Sequence, residues 1–426
     1  MVRLAKPAQD AVSPLTLRLA LMALVPFGLG YFMSYLFRAV NAVVATDLVR
    51  DLGLTASELG LLTSAYLLAF ALWQLPLGIL LDQYGPRRVQ TVLLLVAALG
   101  AVLFALGQNA LYLTIARGLI GVGVAGGLMS GFKAVVLWVP EPRRALANSY
   151  VMSLGAIGLL VSTVPTELAV VEIGWRGVFL VLAAVTALVA LSIFLIVPER
   201  PGTQSPDSLR SQIGIIGGIY SDRAFLALAP VLAATAGVHI GIQTLWAGTW
   251  FRDVAGLDRA GVAHELFLMA AAFFVGILAS GAIADWFVRR GVGVLTVMLG
   301  FLLVFLLAQA LIVFDIAILR RPAWLAFGMS GQVAILAYPW LSSYFGAKRS
   351  GRANTAMNLV IFGSAFAIQY IAGWIIDFYP RTPSGGYPPA SYQTAFGFFL
   401  VIELLALAWF VANRKRFEIA PAARPA

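Results

Sequence analysis

Cysteine is absent from the 426-residue chain, and only 11% of the residues carry charge, against about 25% in ordinary soluble domains. Without cysteine, disulfides, thiolate metal sites and redox thiols are excluded. With so little charge a soluble fold of this length could not cover its own surface, since surface-to-volume scaling forces polar residues outward. Acids are scarcer than bases, 19 against 29, and histidine occurs twice. The sequence has no Walker loop, metal-ligand cluster or defensible Ser/His/Asp arrangement. Those gaps argue against an ATP-driven pump and against an enzyme, and no metal or cofactor is expected.

What the chain does have is apolar sequence, 61% of it, enough at about 20 residues per crossing for roughly a dozen transmembrane helices. Apolar runs between charged or turn-rich breaks give spans near 17–45, 57–81, 89–107, 110–138, 145–170, 176–197, 224–250, 261–286, 291–314, 323–345, 353–378 and 394–412. The first run is too long for a signal-peptide core and lacks a small-residue cleavage site, so it is expected to stay as an anchor.

The net charge of +10 would suggest nucleic acid in a soluble protein, but here it reads as topology. With the N-terminus inside, nineteen of the 29 Lys and Arg fall on inner segments and seven on outer ones. The remaining three, Arg38, Arg117 and Lys133, lie within spans. Both termini are therefore expected to be cytoplasmic, in a multi-pass inner-membrane protein whose partners are the bilayer and a small molecule, with no nucleic acid. Residues 198–223, opening on Pro198-Glu-Arg-Pro-Gly, read as a linker with one surface helix. They separate an N-terminal six-helix bundle, 1–197, from a C-terminal one, 224–426.

The halves repeat one another at matching places. Gly78-Ile-Leu-Leu-Asp82 followed by Arg87-Arg88 returns as Gly281-Ala-Ile-Ala-Asp285 followed by Arg289-Arg290. Arg143-Arg-Ala-Leu-Ala147-Asn148 returns as Arg349-Ser-Gly-Arg-Ala353-Asn354. Duplication of a six-helix unit explains both.

On these motifs the sequence resembles the major facilitator superfamily of secondary transporters. Gly78–Arg88 is similar to that family's loop between helices two and three, departing at Gln83 and Pro86. Arg117-Gly-Leu-Ile-Gly121-Val-Gly123 is similar to its fourth-helix motif. The resemblance implies an all-α membrane fold of 12 helices in two six-helix pseudo-repeat bundles that rock about a central cavity. In that setting Gly78, Asp82, Arg87, Arg88, Arg117, Arg143, Asp285, Arg289 and Arg349 form a candidate conformational switch, made of contacts that break when the bundles part. The plainer reading is helix termination among orientation-setting arginines.

Charge inside a bilayer costs about 3 kcal/mol or more, which makes each instance a functional candidate. Arg38 carries Ser34, Tyr35 and Asn41 on one stripe of the first span, and its planar fork suits a carboxylate. Tyr35-Leu-Phe-Arg38-Ala-Val-Asn41 also resembles the first-helix motif of the anion:cation symporter branch, which implies an organic anion at Arg38. Phe37 and Val124 stand where that branch carries coupling acids, and Asn41 sits three residues after the Arg rather than two. Lys133 lies toward the inner side, on the order of 20 Å from Arg38 in depth. It reads either as a second anion contact or gate, or as a cation snorkelling to the headgroups.

Thr235, His239, Gln243, Trp246 and Trp250 share one helical face of the seventh span by spacing. His239 can carry a proton near neutral pH or sit neutral in a hydrogen bond. Asn358, Phe362 and Gln369 share a face of the eleventh span. Glu167 and Glu403 are acids within spans and stand with His239 as proton-coupling candidates.

The substrate-site candidates are thus Arg38, Asn41, Tyr35, Lys133, His239, Gln243, Trp246 and Asn358. The expected function is secondary transport of a small organic anion, by proton symport or exchange, by a monomer. An efflux antiporter for drugs or amphipathic metabolites and a membrane-embedded sensor are the alternatives.

Overall fold

The computed structural model describes residues 22, 24–199, 209–331, 333–346 and 349–418. The three basic residues expected to mark the N-terminus as cytoplasmic, and part of the linker, lie outside them. Fifteen α-helices follow in chain order: α1 (Val25–Leu52), α2 (Ala56–Leu106), α3 (Ala110–Val124), α4 (Gly127–Trp138), α5 (Arg144–Val161), α6 (Val164–Ile196), α7 (Leu209–Tyr220), α8 (Arg223–Gly241), α9 (Ala247–Asp253), α10 (Arg259–Val288), α11 (Val294–Phe314), α12 (Arg320–Ser330), α13 (Val333–Phe345), α14 (Ser350–Ile376) and α15 (Pro389–Glu418).

Nine helices or helix pairs among the described residues are long and apolar enough to cross a membrane. Two of them are double. The 51 residues of α2 would measure about 77 Å if straight, more than twice the hydrocarbon core. The chain folds back at Gly85, whose φ of 76° breaks the helix, and this left-handed conformation favours glycine. Gly174, at φ 68°, breaks α6 in the same way. The second and third spans are therefore the arms of α2. The fifth runs through α5 into α6, and the sixth is the rest of α6. α3 with α4, α8 with α9, and α12 with α13 are single spans interrupted partway. The path matches the twelve expected spans.

The first span runs past its expected end near residue 45. It ends at Gly53, which adopts φ 66° and returns its N–H to Val49. Thr55 and Glu58 then form a reciprocal capping box that restarts the chain as α2. Arg38 lies fourteen residues before the end of α1 at Leu52.

Between the first six spans and the last six, the main packing is α2 against α14, α1 against the seventh span, and the fifth span against α10. Small residues permit the approach: a Cβ on Gly60 would stand 2.8 Å from the Gln369 carbonyl oxygen.

Candidate functional site: a midplane cavity open on the basic face

A cavity of about 700 Å³ lies between the two sets of spans. At one end it is lined by Phe132, Ser149, Ser342 and Asn354, beside the Arg143–Arg144 and Arg349 turns. It is therefore open toward the face that carries the basic excess. At the other end it stops at Arg38, Phe70, Gln243 and Phe362. The Phe70 and Phe362 rings, one from each half, meet there at 4.6 Å between centroids.

The closed side is held by charge. The Arg259 guanidinium at the start of α10 pairs with both Asp47 oxygens of α1, at 2.7 and 2.9 Å, and with Glu167 of α6 at 2.7 Å. Arg252 donates to the Thr46 hydroxyl at 3.0 Å. Asp377, one residue past α14, accepts from the N–H groups of Ala56 and Ser57 at 2.9 and 2.7 Å and from the Ser57 hydroxyl. This carboxylate caps the positive end of α2 across the two halves. Burial works against its charge, but the hydrogen bonds from Ser57, Tyr387 and Ala56 outweigh it and hold the carboxyl below its usual range.

Arg38 is 8% exposed, and no ion pair to it is formed among the described residues. Its guanidinium carbon lies 4.6 Å from the Tyr35 ring centroid, 5.0 Å from Phe362 and 5.3 Å from Phe70. Its Nε has no hydrogen-bond partner. Three ring faces attract the cation without neutralising it, and an anion can still be accepted. Tyr35 lines the cavity with it, as do His239, Gln243 and Asn358. His239 is buried, stacked on Phe273 at 5.4 Å and packed against Phe327, with Nε2 unpartnered. The Gln243 amide nitrogen is likewise unpartnered. Asn358 accepts from the Tyr338 hydroxyl.

Three expected substrate contacts lie outside the cavity lining in this structure. Lys133 forms an ion pair with Asp82 at 2.6 Å and does not line the cavity. Its span reaches the basic face, where the nearest anion is the loop aspartate. Asn41 donates to Thr63 at 3.0 Å and is fully buried between α1 and α2, a helix-to-helix bond. Trp246 donates to the Gln369 carbonyl at 3.0 Å, and Trp250 packs on Trp324. The reason is a π-helical stretch, Ile242–Trp246. Its wide turn inserts an extra residue and rotates both tryptophans off the face shared by His239 and Gln243.

The candidate acids are also placed. Glu167 belongs to the closed-side cluster, with Arg259 as a cationic partner that the linear sequence does not reveal. Glu403 is fully buried in α15, both carboxyl oxygens lack a partner, and it is remote from the cavity lining. Among the switch candidates, Arg87 donates to the Phe194 carbonyl and, with Arg88, pairs with Glu199. These contacts, like Lys133–Asp82, join spans of the same half. Gly78, Asp285, Arg289 and Arg349 are exposed on the basic face, and Arg143 is half-buried there. Arg117 is fully buried and donates to the Phe37 carbonyl at 2.9 Å. It fastens the fourth and first spans next to Arg38.

Linear reasoning missed Asp47, Arg259 and Asp377, since charges at span ends read as topology markers. It also missed Tyr338 and Ser342. Tyr338 adjoins Pro339 inside the tenth span, a local irregularity that could have singled it out.

The sequence model of the Major Facilitator Superfamily matches residues 27–369. Among curated proteins, the chain is 28% identical over 275 residues to the "Probable sulfoacetate transporter SauU" of Cupriavidus necator, covering 61% of this chain and 64% of that one. It is 24% identical over 277 residues to the "Probable L-galactonate transporter" of Escherichia coli, at 61% and 60% coverage. Against the "Niacin transporter NiaP" of Acinetobacter baylyi it is 24% identical over 370 residues, at 84% and 78% coverage. The chain thus spans somewhat under two thirds of the length of the first two. A solved bacterial homologue of the human lysosomal transporter Spinster, inward-facing and unoccupied, superposes with a TM-score of 0.77 at 17% identity, over 95% of this chain and 99% of that one. That likeness concerns the fold. The match over most of the chain, the helical architecture and the cavity between two halves agree: this multi-pass membrane protein belongs to the Major Facilitator Superfamily of secondary transporters.

Proposed function

We propose that the chain carries a small organic anion of the carboxylate type across the membrane by alternating access, with Arg38 as the anchor. One observation carries this reading: a buried guanidinium faces the cavity among three aromatic rings with no protein carboxylate paired to it among the described residues. A permanent cation there is costly when empty and repaid by an anion that brings both charge and acceptors. The names of the relatives, which mention sulfoacetate, galactonate and niacin, support the same class.

The two halves exchange closed-side contacts for basic-side ones as the cavity changes face. His239 is a buried lining side chain with an unpartnered ring nitrogen, and a proton that travels with the anion is assigned to it.

Purified protein in proteoliposomes tests the proposal. Arg38→Gln is expected to abolish saturable exchange of radiolabelled carboxylates while circular dichroism and gel filtration stay unchanged. Undiminished exchange by a folded Arg38→Gln protein would remove the anchor.

A further inference from the structure

We infer that the passenger is a monoanion with a flat, largely apolar body, an aromatic monocarboxylate with one further hydrogen-bonding atom, and not a dianion or a polyhydroxylated acid. This rests on the reading of Arg38 as the anion anchor and narrows it.

Charge comes first. Arg38 is the one Lys or Arg among the described lining residues, and no Asp or Glu lines the cavity. The other cations within spans are committed elsewhere, Lys133 to Asp82 and Arg117 to the Phe37 carbonyl. A single negative charge is matched by Arg38. A second would enter an apolar cleft without a counter-charge, which is strongly disfavoured.

The body follows from the walls. Around Arg38 the lining rings are Tyr31, Tyr35, Phe70, Phe273, Phe274 and Phe362. Tyr31 and Tyr35 meet edge to face at 5.1 Å, and Tyr35 reaches Phe273 in the other half at 6.4 Å. Such a cleft favours another ring, by stacking or edge contact.

Hydrogen-bonding capacity is short as well, because much of it is used within the protein. Gln74 donates to the Ala125 carbonyl, Asn354 to Ser342 and Tyr338 to Asn358. A sugar acid would bring several hydroxyls to a wall made mostly of apolar side chains, and each unpaired group costs about 1–3 kcal/mol. Besides Arg38 Nε, the buried polar atoms of lining residues that lack partners are Asn354 Oδ1, at the basic end, and the pair His239 Nε2 and Gln243 Nε2 one turn apart on the seventh span. That pair suits one ring nitrogen or hydroxyl on the passenger.

The test is competition binding to the purified full-length protein at pH 7.5, with radiolabelled nicotinate as probe. Its competitors are benzoate, nicotinamide, phthalate and gluconate. Nicotinate and benzoate are expected to bind at least ten-fold tighter than phthalate or gluconate, and nicotinate at least ten-fold tighter than nicotinamide. Arg38→Gln should erase the preference for nicotinate over nicotinamide. Phe362→Leu, which keeps the cation, should weaken nicotinate by about three- to ten-fold and leave gluconate unchanged. If gluconate or phthalate binds as tightly as nicotinate, the inference falls while the anion reading stands. If nicotinamide binds the unmodified protein as well as nicotinate does, both fall. Absence of binding by every aromatic acid also overturns the inference. The ranking in the unmodified protein decides the matter even where a variant fails to fold.

Discussion

Arg259 of α10 holds Asp47 of α1 in a bidentate ion pair, 2.7 and 2.9 Å, across the boundary between the two halves. Its remaining donors reach Glu167. Asp47 is 3% exposed, so losing the guanidinium leaves a buried carboxylate with only the exposed Arg50, 3.1 Å away, as a partner.

Arg259→Ala should therefore shift the resting population toward a state open on the opposite face. Arg259 is itself part-exposed and screened by solvent, so the expected shift is about ten-fold, or roughly 1–2 kcal/mol. Spin labels on cysteines introduced at the two sides of the lock would report it as a longer inter-label distance. Because the native chain has no cysteine, labelling needs no background removal. An unchanged distance distribution would show that the cluster holds nothing.

Close backbone approach makes the second prediction. A Cβ on Gly373 would meet the Ala56 carbonyl carbon at 2.8 Å, backbone against backbone between α14 and α2. Gly373→Val should keep the closed side from sealing and lower the transport rate at least ten-fold. Introduced cysteines in the closed layer should then react with a water-soluble maleimide that the parent chain excludes. Normal transport by Gly373→Val would contradict the packing.

Acid should loosen the same side through Asp377. Its carboxyl is held below the ordinary range when the side is closed. The carboxylate therefore stabilises closure fully above its ordinary pKa of about 3.9, and this contribution is lost as pH falls through the depressed value. Inter-label distance across the lock, followed from pH 7 down to pH 3, should begin to lengthen below about pH 4. Asp377→Asn should remove that part of the response and be more open at pH 7.

His239 supplies the fourth prediction. His239→Gln should reduce uptake driven by a pH gradient at least ten-fold while counterflow exchange keeps more than half its rate. Full proton-driven uptake in that variant would clear His239 of any coupling role. Gly331→Ala is a steric companion, since a Cβ there would run into the imidazole ring, and it should displace the ring without altering its chemistry.

The spans were legible because a bilayer demands about 20 apolar residues per crossing and because Gly85 and Gly174 sit where the chain must turn. Arg38 was legible for a related reason, as a permanent charge with polar neighbours on one stripe of an apolar helix. Facing direction was less so. Trp246 and Trp250 keep perfect helical spacing with His239 in the sequence, yet the π-turn at Ile242–Trp246 rotates them away. Partners distant in sequence were not legible at all. Glu167 and Arg259 are 92 residues apart, and Lys133 finds Asp82 51 residues back. Ion pairs of this kind depend on how whole spans dock, a property that no local spacing encodes.

The unpaired cation in the cavity also has an electrical consequence. An empty site carries the charge of Arg38; a site holding a monoanion alone is neutral, while one that also holds a proton on His239 keeps a net positive charge. The membrane potential drops mostly across whichever side is sealed, so a change of access moves Arg38 through the field even where the helix itself barely shifts. A full charge crossing 100 mV is worth about 2.3 kcal/mol, and Arg38 experiences a part of that. With the basic face cytoplasmic, as the arginine distribution indicates, an inside-negative potential favours the unloaded carrier in the form described here. A carrier loaded with the anion alone reorients with little regard to voltage, and the return of the empty carrier is then the voltage-dependent step of the cycle; a carrier loaded with anion and proton feels the voltage in both directions.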